Sequence, residues 1–178
     1  MPVPPTALAD AYTRLTTAFP GLDIIQPPTP EPMPAHDGWV TAAALAAGGD
    51  TLDAFLARDD AQVVRDYGQP ARPDVVASFG LHRYAWPACL LITVPWFLLR
   101  RVPRLPVTHV SYDRTAPDLP IGALAARPAT FACLPGDPAA TLPGARVVPD
   151  EEALRAEVRT AIAEHLEPVL TGFGPRMR

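Results

Sequence analysis

Sixteen consecutive residues, 84–99, read YAWPACLLITVPWFLL without a single charge, between "LHR" on one side and "RR" on the other. Such a run crosses a membrane, lines a pocket or fills a core. A bilayer asks for about twenty mostly apolar residues, and this run is shorter and interrupted by Pro87 and Pro95. Each interior proline removes a backbone donor and frees a carbonyl, which in hydrocarbon would need a partner that a lone span does not supply. The run therefore predicts no membrane span. It predicts a kinked central helix, opened by Pro73 and continuing to Leu99, buried on nearly all sides with Leu90, Leu91, Ile92 and Phe97 in the core.

The segments around it sort by period and by breakers. Leu8, Tyr12, Leu15 and Phe19 fall at helical spacing, with Thr6 as N-cap, and predict a first helix over 7–18 that Pro20-Gly21 ends. Pro27, Pro28, Pro30, Pro32 and Pro34 then predict an extended polyproline-like arm that spaces its flanks. "WVTAAALAA" predicts a short helix stopped at Gly48-Gly49. Asp50 caps the next, which places Leu52, Phe55, Leu56 and Val63 inward and closes at Gly68.

After Arg104 the period changes to two. "PVTHVSYDR" alternates, with Val107, His109, Ser111 and Asp113 on one side, while "ATFACL" and "ARVV" give two further short β-runs. "TAPDLPIGALAARP" and "PGDPAATLPG" read as turn-rich loops. Asp150 caps a final helix whose stripe is Leu154, Val158, Ala161, Ile162 and His165, with Pro168 kinking or ending it. The expectation is one α+β domain, mostly α-helical with a small antiparallel sheet: an N-terminal helix and Pro-rich arm over 1–37, and the main body over 38–178.

Composition excludes more than it nominates. With 15 basic and 19 acidic residues and a net charge of −4, the chain lacks the electrostatic footprint of a nucleic-acid binder. All the basic residues are Arg, Lys and Asn are absent and there are 24 Pro; a GC-rich coding sequence produces this bias, so the arginines are not by themselves functional signals. The start carries neither a basic n-region nor an apolar h-region, which points to the cytoplasm. Cys89 and Cys133 are too few and too far apart for a spaced metal-ligand set, and a reducing compartment makes them buried thiols.

No phosphate loop, nucleophile elbow or zinc signature occurs. Four weaker groupings remain, each with a structural alternative. His82-Arg83-Tyr84 sits at the polar start of the apolar run and suits an oxygen-rich anion, or ordinary hydrogen bonds where the run begins. His165 is a ligand-facing base or a hydrogen-bonded core histidine, and His109 is a weaker candidate of the same kind. Arg100, Arg101 and Arg104 form a cationic collar at the end of the run, for an anion or for solvent. Trp86 and Trp96 with Tyr84 offer an aromatic floor, or simply core.

"VVASFGLHRYAWPACLLITVPWFLLRRVPRLPV" and "ARVVPDEEALRAEVRTAIAEHLEPVLTGFGPRMR" resemble the N-terminal part of the FhuF-like ferric siderophore reductases, and the likeness spans residues 39–178. The resemblance implies a cytoplasmic protein whose partners are a ferric siderophore and an electron-donor protein, and a one-electron reduction that loosens the grip of hard oxygen ligands on iron. It implies that His82, Arg83, Tyr84 and Trp86 hold the chelate, with His165, Arg100, Arg101 and Arg104 next in line. The family's C-terminal CC…CxxC set, which holds a 2Fe–2S cluster, has no match in this sequence. Neither Cys89 nor Cys133 fits it, so the chain itself carries no cofactor, and the cluster is expected where such a motif follows. The expectation is thus the ligand-holding fragment of a longer reductase, with a cluster-free relative, or a non-catalytic binding domain, as the alternatives.

Overall fold

Pro87 and Pro95 do not break the central helix: α4 runs unbroken over Pro73–Leu99. Both freed carbonyls are answered from inside the same chain. Proline 95 cannot donate to the carbonyl of Leu91, and Tyr12 donates its hydroxyl to that oxygen at 3.2 Å. Proline 87 leaves the carbonyl of Arg83, and Tyr112 shares its hydroxyl proton between that oxygen at 3.2 Å and Ile121 O at 2.5 Å.

The architecture is that of a computed structural model, which describes residues 2–28, 31–115 and 119–178. Pro30 of the arm and residues 116–118 of the first turn-rich loop lie outside the described residues. Around α4 stand α1 (Ala9–Ala18), α3 (Gly49–Tyr67) and α5 (Glu151–Phe173), with short α2 (Ala42–Ala47) lying on α5. One sheet has the order β1-β5-β4-β2, from Leu22–Ile25, Gly122–Ala126, Val110–Asp113 and Trp39–Thr41; β1 runs parallel to β5 and the other pairs are antiparallel. A second has the order β3-β6-β7, from Arg101–Arg104, Thr130–Cys133 and Ala145–Val147, with β6 and β7 parallel.

The fold is α+β and mainly helical, but its strands form two mixed sheets where one small antiparallel sheet was expected. β1 and β5 account for much of the difference. β5, "GALAA", is buried on both faces between two partners, and small residues fit a sandwiched strand that carries no period-two signal. β4 starts only at Val110, because Val107–His109 close a 3-10 turn after Pro106.

Caps differ in the same local way. Thr6 belongs to a 3-10 turn, Pro5–Ala7, and α1 begins at Ala9 without a side-chain cap. Thr41 caps α2 by accepting from Ala44 N at 3.1 Å, so Trp39 precedes the helix as strand. Asp50 lies inside the first turn of α3, where its charge favours the helix dipole. Asp150 does cap α5, accepting from Ala153 N at 2.8 Å, and that helix continues through Pro168 to Phe173.

The core is continuous from the first helix to the last, with Leu8, Tyr12, Leu22, Tyr84, Leu91, Ile92, Leu124, Phe131 and Phe173 in it. α4 is less enclosed than expected. By length and composition it could span a bilayer, yet in this fold 44% of its most apolar window is buried, while Phe79, Trp86, Phe97 and Leu98 reach the surface. Leu91 and Ile92 are fully buried, Leu90 only partly, and Phe97 is 68% exposed.

Candidate functional site

Gly80 fixes how closely α3 and α4 meet: a Cβ there would sit 2.6 Å from Leu56 Cδ2 and 2.8 Å from Asp59 Oδ2. This approach buries Asp59 completely. A buried carboxylate needs a counter-charge, and two arrive. Arg83, one turn beyond Gly80, donates from Nη1 to Asp59 Oδ1 at 2.5 Å and to Gln62 Oε1 at 2.7 Å. Arg114, the residue after β4, places Nη1 2.7 Å from the same Asp59 oxygen and lays its guanidinium over the ring of Phe55 at 5.3 Å.

These groups wall one small hollow of about 170 Å³, lined by Gln62, His82, Arg83, Trp86, Tyr112 and Arg114, with Pro120 and Ile121 closing one side. Trp86 stands edge-on to Phe19 with ring centres 5.4 Å apart and is partly exposed. Burial pushes the Tyr112 phenol up to about 12, with Arg114 and Arg83 opposing the rise. It is a neutral hydroxyl at physiological pH, and its proton is committed to backbone oxygens.

Of the sequence candidates, His82, Arg83 and Trp86 come together here. Tyr84 does not. It is fully buried in the core, its hydroxyl 2.8 Å from His165 Nε2 and its ring 5.8 Å from that of Tyr112. His165 Nδ1 lies 2.6 Å from Leu105 O, so Nδ1 carries the proton and Nε2 accepts from Tyr84. Burial holds His165 below the usual imidazole range, opposed by its bond to Leu105. The two rings stack, and the pair ties α4 to α5 inside the core.

The arginine collar separates into three places. Arg100 takes a left-handed conformation at the end of α4, lies 3.6 Å from Glu151 and stacks on Trp96. Arg101 grips Asp137 through both carboxylate oxygens and donates to Ala7 O at 2.8 Å. Arg104 pairs with Glu157 at 2.6 Å and with Glu164. The three cations therefore do not converge on one anion. His109 faces Arg127 O at 3.0 Å and belongs to no cluster.

The sequence reading missed Asp59, Gln62, Tyr112 and Arg114. Asp59 carried a visible signal: it sits on the inward stripe of Leu52, Phe55, Leu56 and Val63, where a carboxylate requires a partner. Nothing local places Arg114 opposite Arg83.

The thiols do not fit the cluster that the resemblance implies. Cys89 is half-buried on α4 and Cys133 buried on β6, both free, and burial pushes both up and keeps them protonated. Among the described residues no three His, Cys, Asp or Glu side chains converge as a metal-ligand set, whereas such a cluster takes four ligands. A larger hollow of about 420 Å³ lies between the arm and α3, with Asp37, Asp50 and Arg58 on its wall. Its acidic groups outnumber its one arginine, so it suits an anion less well than the Arg83–Arg114 hollow. Comparison of the chain with family models, with curated proteins and with solved structures finds no match.

Proposed function

We propose that this chain is the chelate-holding portion of a FhuF-like ferric siderophore reductase, acting in cytoplasmic iron release. The observation that carries the reading is the convergence of His82, Arg83 and Trp86, adjacent to one another in the likeness, with Arg114 and Gln62 around a single hollow. Two guanidiniums beside an indole offer what an oxygen-rich, anionic iron(III) chelate needs: charge-assisted donors and a flat apolar wall. The electron for the one-electron reduction comes from a donor protein, or from a 2Fe–2S cluster where a four-cysteine motif follows, because Cys89 and Cys133 are free thiols that match no such motif. That same thiol placement favours the second reading, a binding domain without redox activity.

Titration with a panel of ferric hydroxamate and catecholate siderophores, followed by tryptophan fluorescence, tests the reading. Saturable quenching is expected, weakened about tenfold in Trp86→Leu and His82→Ala, whose partly exposed side chains leave the fold intact. Absence of binding across the panel overturns it. Binding without iron(II) release in the presence of a reduced iron–sulfur donor protein selects the second reading.

A further inference from the structure

The hollow is small, donor-rich and carries a countable charge, and these three properties define what enters it. Its volume of about 170 Å³ suits one carboxylated ring and leaves the bulk of a multidentate chelate outside.

Among the described residues that line it, hydrogen-bond capacity points one way. Guanidiniums only donate. Gln62 Oε1 accepts from Arg83 at 2.7 Å and from Arg114 Nη2 at 3.5 Å, and the Tyr112 proton is shared between Ile121 O and Arg83 O. Arg114 Nη1 is buried against Asp59 Oδ1 at 2.7 Å, and Asp59 Oδ2 beside it is buried without a hydrogen-bond partner among the described residues. Among those residues the hydrogen bonds of Arg83 run from Nη1 and that of Arg114 from Nη2, to Gln62 Oε1 at 3.5 Å, which leaves N–H groups on both guanidiniums unspent. Charged N–H donors with protons to spare beside a hollow suit an oxygen acceptor.

The charge follows by counting. Among the arginines and carboxylates of the described residues at the hollow, Arg83 and Arg114 contribute two positive charges and Asp59 one negative, which leaves +1. Asp113, next to Tyr112 on β4, points to the other face of its sheet, where Oδ1 accepts from Thr115 N and Oγ1. A monoanion therefore balances the site. Trp86 adds a flat apolar wall that favours a planar ring over an aliphatic chain.

We infer that the Arg83–Arg114 hollow binds a planar aryl monocarboxylate, its two oxygens spanning the arginines and its ring against Trp86. The inference rests on the functional reading above only for the source of that group: the aryl arm of a chelate or a free aryl acid. The iron centre stays outside the hollow in either case.

Calorimetric and fluorescence titrations of the whole chain with benzoate, phthalate, cyclohexanecarboxylate and anilinium, all iron-free, provide the test. Benzoate is expected to bind saturably, phthalate and cyclohexanecarboxylate at least tenfold more weakly, and anilinium not at all. Trp86→Leu, at a partly exposed position, is expected to lose about tenfold for benzoate while melting as wild type does. Asp59→Asn keeps the shape and raises the site to +2, so the preference is expected to swing by about tenfold toward phthalate, which a merely structural Asp59 would not produce. Benzoate that fails to bind while ferric chelates do bind overturns the inference and leaves the functional reading standing. Benzoate binding with no chelate binding leaves the inference standing as a free aryl-acid site and overturns the chelate reading. Benzoate binding that is indifferent to Trp86→Leu also overturns the inference.

Discussion

The hydroxyl of Tyr12 on α1 donates to the carbonyl oxygen of Leu91 on α4, the acceptor that Pro95 leaves without its helical partner. Tyr12 is buried and burial drives its phenol far above the usual tyrosine range, so the proton stays in place at any physiological pH. This bond lets a proline-interrupted helix serve as the centre of the core. Tyr12→Phe removes the donor and leaves a buried acceptor unpaired, which costs about 1–2 kcal/mol. Pro95→Ala restores a backbone N–H to the same oxygen, so the Tyr12→Phe penalty shrinks in that background. Urea melts of the two single variants and the double variant measure the coupling; an unchanged penalty would place the role of Tyr12 in packing alone.

Gly80→Ala pits helix propensity against space. Alanine gains about 1 kcal/mol over glycine inside a helix, but the new Cβ falls 2.6 Å from Leu56 Cδ2 and 2.8 Å from Asp59 Oδ2. Leu56 can shift, whereas Asp59 is pinned by Arg83 and Arg114. Overpacking of this kind costs about 1–3 kcal/mol, so the variant melts lower despite its better helix former. A higher melting temperature would show that the α3–α4 spacing is soft.

Breaking the ion pair at Asp59 has a larger effect. Arg83→Ala leaves a fully buried carboxylate with Arg114 as its one charge partner among the described residues, and loss of one member of a buried pair costs about 3 kcal/mol or more. Arg83→Ala therefore reports stability and binding together. Trp86→Leu and His82→Ala separate the two, and thermal melts beside the titrations check this.

Long periodic elements were legible in the sequence and short sandwiched ones were not. α4 starts at Pro73 and ends at Leu99, where the proline and the apolar run place it, and α5 starts after its Asp150 cap. β5 looks like a loop in the sequence because "GALAA" has no alternation when both faces are buried. Half of the candidate site was legible for a related reason. His82, Arg83 and Trp86 share one turn of one helix, so their proximity is local, whereas Arg114 comes from after β4 and meets Arg83 only through tertiary packing. Tyr84, adjacent to Arg83 in sequence, turns into the core and pairs with His165, 81 residues away.

The two faces of α4 respond differently to substitution. Leu91 is fully buried, so Leu91→Ala costs about 2–5 kcal/mol, and Leu91→Asp abolishes folding by burying an unpaired charge. Phe97, in the same charge-free run, is 68% exposed, and Phe97→Ser stays within about 0.5 kcal/mol of wild type. Circular dichroism of the three variants checks the contrast; a cooperatively folded Leu91→Asp variant would remove α4 from the centre of the core.

The Tyr84–His165 pair makes stability depend on pH in a defined direction. Burial, the larger influence, holds the folded imidazole below its ordinary value of 6.5, and the bond to Leu105 O only partly offsets it. Above pH 6.5 the ring is neutral in both states and the pair contributes fully. Below it the unfolded chain takes up a proton that the folded chain resists, so unfolding gains and stability falls until the pH drops through the folded value. The slope for this one group is at most about 1.4 kcal/mol per pH unit. His165→Gln retains a donor for Leu105 O and an acceptor for Tyr84 but does not titrate, so the acid-side slope just below pH 6.5 flattens while stability at pH 7.5 changes little. Denaturant melts of both proteins between pH 7.5 and 5 measure this, and parallel slopes in the two would assign the acid sensitivity to other groups.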